Sequence, residues 1–279
     1  MTVGSQLSDR IGCSWHPEQL TSIHCTRCGR PICAACQSPG PRCPACASED
    51  GLVPDPRPAS PLRAVAAHFR VTKVVMVLVA LNAVSLVATS IRPALEVDGA
   101  QIPAEIARGQ VYRLFTAMFV HADVSHLVLN MAALLIMGPL VEEALGPVRF
   151  LALYLLAGLG GFVVSFLFGP VLGASVGSSG AIFGVCGAWF SLARVRRRGD
   201  TAAIALLIAL LLGYSFYDTS IDWRAHVGGL ATGILVGFGC AWAARRPARG
   251  RVAWEAALTV ASLAVLATAV VTRSAQIRG

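Results

Sequence analysis

Charge is scarce in this chain of 279 residues, with Asp, Glu, Lys and Arg together at 14%, and sustained alternation of apolar and polar residues is missing. The first shortage excludes an ordinary water-soluble globule, and the second argues against a barrel of membrane-spanning strands. The first sixty residues also lack an apolar run of signal-peptide type. The first hydrophobic segment is therefore expected to act as its own uncleaved insertion signal. Paired charges are missing from the middle of the apolar runs, which makes a transporter the least favoured reading.

What is present is apolar length: 55% of the residues are hydrophobic and the mean hydropathy is +0.65. Seven runs approach the roughly 20 residues needed to cross about 30 Å of hydrocarbon. They cover Val71 to Ile91, Val124 to Leu145, Arg149 to Phe168, Ser179 to Arg194, Thr201 to Phe216, Ala225 to Ala244 and Val252 to Val271. Backbone groups in lipid must be satisfied within the segment, so these runs read as helices and the chain as an all-α polytopic membrane protein. The fourth and fifth are short, as suits helices enclosed by others.

Lys and Arg set the expected orientation. A cytoplasmic N-terminus places Arg63, Arg70, Lys73, Arg149, Arg194, Arg196, Arg197, Arg198, Arg245, Arg246, Arg249 and Arg251 on the inner side. The opposite choice leaves only Arg92, Arg108, Arg113, Arg224, Arg273 and Arg278 there. The N-terminus is thus expected in the cytoplasm of a cell-membrane protein, and Gly279 outside. The net charge of +8 reads as a topology signal and as attraction to membrane lipid, with no nucleic acid expected.

The cysteines are concentrated before the first span. Cys13 and His16, Cys25 and Cys28, Cys33 and Cys36, and Cys43 and Cys46 each flank two residues. Eight such ligands suffice for two tetrahedral Zn²⁺ ions, and thiols on the cytosolic side stay reduced and available to metal. Only four residues separate the second and third pairs, so a cross-braced arrangement of first with third and second with fourth is favoured, in which the segment resembles a B-box-type zinc finger. His24 reads as a bystander. No coordination position is left open for water, so the module is read as structural, serving a cytoplasmic protein partner, and metal binding supplies its folding energy. Pro54, Pro56, Pro58 and Pro61 follow in an extended linker.

Reactive side chains within apolar spans cost about 2–4 kcal/mol to insert and suggest function. Ser179 lies in Gly177-Ser178-Ser179-Gly180 and His226 in Ala225-His226-Val227-Gly228-Gly229. Gly180, Gly184 and Ala188 repeat at four-residue spacing, as do Gly229, Gly233 and Gly237, so two smooth faces can bring Ser179 and His226 together. A serine hydroxyl needs a base, and imidazole is the usual one. His126 and Asn130 share one helical face and can donate to a developing oxyanion. Ser178 is the competing hydroxyl, but Ser179 stands directly before Gly180 at the expected helix start. His121 and Asp123 are expected at the outer surface. Asp222, placed in an outer loop, is not enlisted.

These residues resemble the rhomboid family of intramembrane serine proteases, in an actinobacterial form with an added zinc-finger tail. The resemblance covers about Thr72 to Arg246. It rests on His126-x3-Asn130, Gly177-x-Ser179-Gly180, Ala225-His226-x2-Gly229-x3-Gly233 and Gly138-x3-Glu142-x3-Gly146. It implies six core helices plus a seventh, Ser179 as nucleophile, His226 as general base, and an oxyanion hole of His126, Asn130 and the Ser179 backbone N–H, with no cofactor for catalysis. Tyr112-Arg113 replaces a Trp-Arg common in the family, and Phe183 stands where some members carry Tyr packed on the histidine. The substrate would be a transmembrane protein, and water would reach the site through a polar cavity open to the outside, rimmed by Pro170 to Ser178 and Ser215 to Trp223. Competing readings are an inactive rhomboid-like binder or chaperone and a zinc-dependent membrane regulator. The expected domains are a finger at 1–50, a linker at 51–70, a protease core at 71–246 and a seventh helix with tail at 247–279.

Overall fold

A computed structural model describes residues 11–37, 40–49, 72–196, 201–218 and 220–279. The chain separates into two units, Met1–Val65 and Ala66–Gly279. The proline linker and Arg63, Arg70, Arg197 and Arg198 of the orientation argument lie outside the described residues.

A span this short cannot assemble a large apolar core. Two-residue strands β1 (Ile11–Gly12) and β2 (Leu20–Thr21) pair antiparallel, with Ile11 opposite Thr21. A single 3₁₀ turn, Ala34–Cys36, and the short helix α1 (Pro44–Glu49) follow. The interior consists of Cys13, Cys25, Cys33, Cys36, Cys43 and Cys46 around Ile32. Thr21 Oγ1 donates to the Ile32 carbonyl at 2.9 Å, tying the hairpin to the segment that carries Cys33.

The second unit is helical. Its apolar helices are α2 (Lys73–Ile91), α6 (Val124–Leu145), α7 (Pro147–Phe168), α8 (Ser179–Arg196), α9 (Thr201–Tyr217), α10 (Trp223–Ala243) and α11 (Ala248–Arg278). Short helices α3 (Ala94–Gly99), α4 (Pro103–Ala107) and α5 (Arg113–Thr116) fill the connection from α2 to α6. Five of the apolar helices are long enough to cross a membrane, while the α8 and α9 segments are shorter, matching the lengths read from the sequence. The chain is a multi-pass membrane protein.

Lipid offers no hydrophobic drive between helices, so close packing needs surfaces without side chains. The contact of α8 with α10 is built that way. A Cβ on Gly229 would stand 1.9 Å from the Gly180 carbonyl oxygen, and one on Gly233 would stand 2.0 Å from that of Gly184. The glycines of α7 add a third face, since a Cβ on Gly161 would meet the Ala225 carbonyl at 2.6 Å. This contribution of Gly160 and Gly161 was absent from the sequence reading.

The Gly138, Glu142 and Gly146 spacing has a separate physical cause. Glu142, buried on α6, accepts from the backbone N–H of Val74 at 3.2 Å and of Val75 at 3.1 Å, and from the Thr72 hydroxyl. It thereby satisfies the free donors at the start of α2, where the helix dipole also favours a carboxylate. Gly138 leaves room for Val75, and Gly146 ends α6 at φ +86°, a conformation costly for any residue with a Cβ. In the outer connection Arg113 is buried and donates to the Ala100 carbonyl at 3.0 Å and to Gln110 Oε1 at 2.7 Å, while Tyr112 is half exposed. The arginine of the Tyr112-Arg113 pair is thus the stitch of this loop, and the aromatic exchange leaves it intact. Helix α11 is secured by Glu255, which accepts from Arg149 Nε at 2.7 Å and from Arg251 Nε at 3.0 Å.

Candidate active site

Ser179 is the first residue of α8, reached through Gly177 at φ +121°. The Gly177 N–H donates to the Ala117 carbonyl at 2.9 Å, and Gln101 and Ser175 exchange two backbone bonds of 3.0 Å, which fixes the loop ahead of the serine. His226 lies in the first turn of α10, whose N-cap Asp222 accepts from the Arg224 N–H. The glycine contact of these helices brings Ser179 Oγ to 2.7 Å from His226 Nε2. Phe183, one turn along α8, stacks on the imidazole with ring centroids 4.3 Å apart and planes at 20°. Asp222 also accepts from the Ser165 hydroxyl, and its carboxylate makes no hydrogen bond to His226.

His126 and Asn130 stand beside the same loop. A Cβ on Gly177 would fall 2.8 Å from His126 Nε2 and 3.8 Å from Asn130 Nδ2, so the missing side chain is what lets both groups approach. Asn130 is buried, and its Nδ2 has no hydrogen-bond partner. A buried, unpaired donor costs about 1–3 kcal/mol, a cost that an incoming acceptor would relieve.

One placement differs from expectation. His121, read as a surface residue, is 1% exposed, with Nδ1 on the Phe119 carbonyl at 3.2 Å and Nε2 at 3.4 Å from Ser178 Oγ. The carbonyl can only accept, so Nδ1 carries the proton and Ser178 donates to Nε2. Pairing with Ser178 and the Phe119 carbonyl lets this polar ring be buried in the turn before α6. Ser178 is wholly buried, whereas Ser179 retains partial exposure, so the two hydroxyls differ in access. Asp123 is exposed and caps α6 by accepting from the His126 N–H at 2.8 Å.

Ser215 is the residue that sequence reasoning missed, having entered only as one end of a rim. Its Oγ lies 2.7 Å from His226 Nδ1. The available signal was a buriable hydroxyl within the apolar run of α9. A cavity of about 140 Å³ lies between both proposed rims, lined by Pro170, Gly173 and Ser175 on one side and Ser220, Ile221 and Asp222 on the other. Ser179 and His226 are not among its lining residues.

In the N-terminal unit the ligand atoms of Cys13, His16, Cys33 and Cys36 lie within 4.8 Å of one another, and so do those of Cys25, Cys28, Cys43 and Cys46. First pairs thus with third and second with fourth. His16 presents Nδ1, 3.2 Å from Cys36 Sγ. His24 is exposed, bonds the Ser22 carbonyl and belongs to neither cluster. Burial and the crowding of Cys13 and Cys33 push the Cys36 thiol up to about 12. Burial also acts to raise Cys13, but backbone donors at Trp15, Cys33 and His16 outweigh it and hold that thiol at about 6. A cluster of this kind accommodates all its thiolates when a cation neutralises them, and two such closed sets could hold metal ions.

The rhomboid domain family model matches residues 108–243. The putative rhomboid protease YdcA of Bacillus subtilis is 32% identical over 139 residues, covering 48% of this chain and 70% of that protein. This chain belongs to the rhomboid family. Rhomboid protease GluP of Bacillus subtilis is 39% identical over 141 residues, 49% of this chain and 27% of GluP. RHOMBOID-like protein 1 of Arabidopsis thaliana is 35% identical over 139 residues, 48% of this chain and 35% of that protein. The chain therefore spans only about a third or less of the length of these last two. At the level of the family, the relatives named as rhomboid proteases support a protease. The matched rhomboid domain contains Ser179, His226, His126 and Asn130, and Ser215 as well, while α2, α11 and both Cys/His clusters lie outside it.

Proposed function

We propose that this rhomboid is an intramembrane serine endopeptidase in which Ser179 and His226 form the working pair. The contact of 2.7 Å between Ser179 Oγ and His226 Nε2, inside a helix junction that excludes larger side chains, carries this reading. Ser179 Oγ attacks the scissile carbonyl carbon as His226 Nε2 takes the hydroxyl proton. Asn130 Nδ2, His126 and the Ser179 N–H hold the resulting oxyanion. Collapse breaks the C–N bond, and the leaving amine takes the proton from His226. An acyl-enzyme on Ser179 remains, which water attacks with His226 again as base. The unpaired Asn130 donor and the partial exposure of Ser179, against full burial of Ser178, support these roles.

The substrate is a transmembrane protein with a helix that unwinds near the outer surface, entering from the lipid. The chain divides functionally into finger, linker, protease core and seventh helix at the boundaries expected from the sequence. The finger holds two structural Zn²⁺ ions through Cys13, His16, Cys33 and Cys36 and through Cys25, Cys28, Cys43 and Cys46. It serves a cytoplasmic partner, with the N-terminus on the cytoplasmic side of the cell membrane and Gly279 on the outer side. The test is cleavage of a reporter transmembrane protein by purified wild type and Ser179→Ala in lipid. Loss of cleavage with intact insertion is expected; full activity of the variant overturns the assignment.

A further inference from the structure

The ring of His226 has two nitrogens, and only one neutral tautomer can act as base toward Ser179. Nε2 must be unprotonated, so the proton must sit on Nδ1. No carboxylate bonds that nitrogen. Its partner is the Ser215 hydroxyl at 2.7 Å.

A serine hydroxyl has one hydrogen, and counting it decides the direction of the bond. Ser215 Oγ also lies 2.8 Å from the Leu211 carbonyl, one turn earlier in α9. That carbonyl can only accept, and giving it the Ser215 proton lets Oγ accept from Nδ1–H of His226 while Ser179 donates to Nε2, the one arrangement that makes all three bonds at once. Nε2 then keeps its lone pair for the Ser179 proton. The Phe183 ring restrains tilting of the imidazole, while the Ser215 bond restrains rotation within its plane.

We infer that Ser215 is a positioning residue of the hydrolytic site, fixing the Nδ1–H tautomer of His226 through the relay from the Leu211 carbonyl to Ser215 to His226. This rests on the assignment of His226 as base. The placement of Ser215 is selective: α9 exposes Leu206, Leu207, Leu210 and Leu211, whereas Ser215 is 2% exposed. The bond therefore does not follow from dense packing of the whole helix. A neutral hydroxyl also orients the imidazole without burying a charge at membrane depth, which a carboxylate would require.

The experiment compares wild type, Ser215→Ala and Ser215→Thr in lipid. Cleavage kinetics are joined to ¹⁵N NMR of histidine-labelled protein, with the His226 signal assigned by its loss in His226→Ala. Ser215→Ala is expected to lower kcat about 10- to 100-fold with KM within about twofold, as for loss of a hydrogen-bonded orienting group. The His226 signal should move from Nδ1–H toward a mixture of tautomers. Ser215→Thr keeps the hydroxyl and should recover most of both. An Nδ1–H signal unchanged in Ser215→Ala, or a kcat within about twofold of wild type, overturns the inference, and altered thermal stability alone would mark a structural role. If Ser179→Ala still cleaves, the assignment of the working pair fails, and that result is distinct because the tautomer is read without turnover.

Discussion

In the N-terminal unit the buried interior consists of candidate ligands, with Cys13, Cys25, Cys33, Cys36, Cys43 and Cys46 crowded around one isoleucine. In the helical unit the decisive interior is made of missing side chains, with Gly180, Gly184, Gly229 and Gly233 letting backbones touch. Both devices bring residues distant in sequence within bonding range. The first is a set of Cys and His side chains that could hold metal ions, whereas the second needs only van der Waals contact and satisfied backbone groups. The two regions should therefore fail under different insults, and a reactive pair built on the second should be indifferent to metal.

The largest effect should come from chelation. Structural zinc supplies on the order of 10 kcal/mol or more to small finger domains, so stripping metal should abolish amide protection across residues 11–49 while helix protection and cleavage persist. Loss of cleavage together with the metal would show that the regions are coupled. Next in size, Ser179→Ala and His226→Ala should each reduce cleavage by about 10⁴-fold or more, with metal content unchanged, in a mass-resolved product assay.

Asn130→Ala and His126→Ala are expected to lower kcat by roughly tenfold to a thousandfold each, because donors to an oxyanion act mainly in the transition state. Steady-state kinetics check this, and an effect on thermal stability alone would reduce them to packing. The smallest effect should be steric. Gly229→Ala places a methyl group against the Gly180 carbonyl and should destabilise the helical unit by about 1–3 kcal/mol, whereas Gly213→Ala, with open space around it, should not. Equal unfolding midpoints for the two variants would remove the backbone contact as the source of order.

Legibility in the sequence followed spacing. Two-residue gaps between Cys and His exposed the ligand set, and the four-residue repeats of small residues exposed the α8 and α10 faces. Both signals are local and periodic. Gly161 repeats with Ala157 and Ser165 at the same spacing, but that repeat was not picked out, because nothing local says which helix the face will meet; with Gly160 it forms the third wall of the junction. His121 was misplaced because a histidine in a turn carries no sign of the buried hydroxyl it will meet, here 57 residues later. Ser215 escaped for the same reason, since its partner lies in another helix.

The chain by itself determined its apolar spans and marked out eight candidate ligands and the candidate set of Ser179, His226, His126 and Asn130, because residue type and spacing are local signals. Only the tertiary structure decided that the Cys/His pairs alternate in their clusters, that Ser178 is closed off and Ser179 is not, and that Ser215 answers the second nitrogen of His226. Those outcomes depend on the separation and rotation of packed elements, which are set by where side chains are small enough for backbones to meet, and a single hydrogen bond tolerates only a few tenths of an ångström.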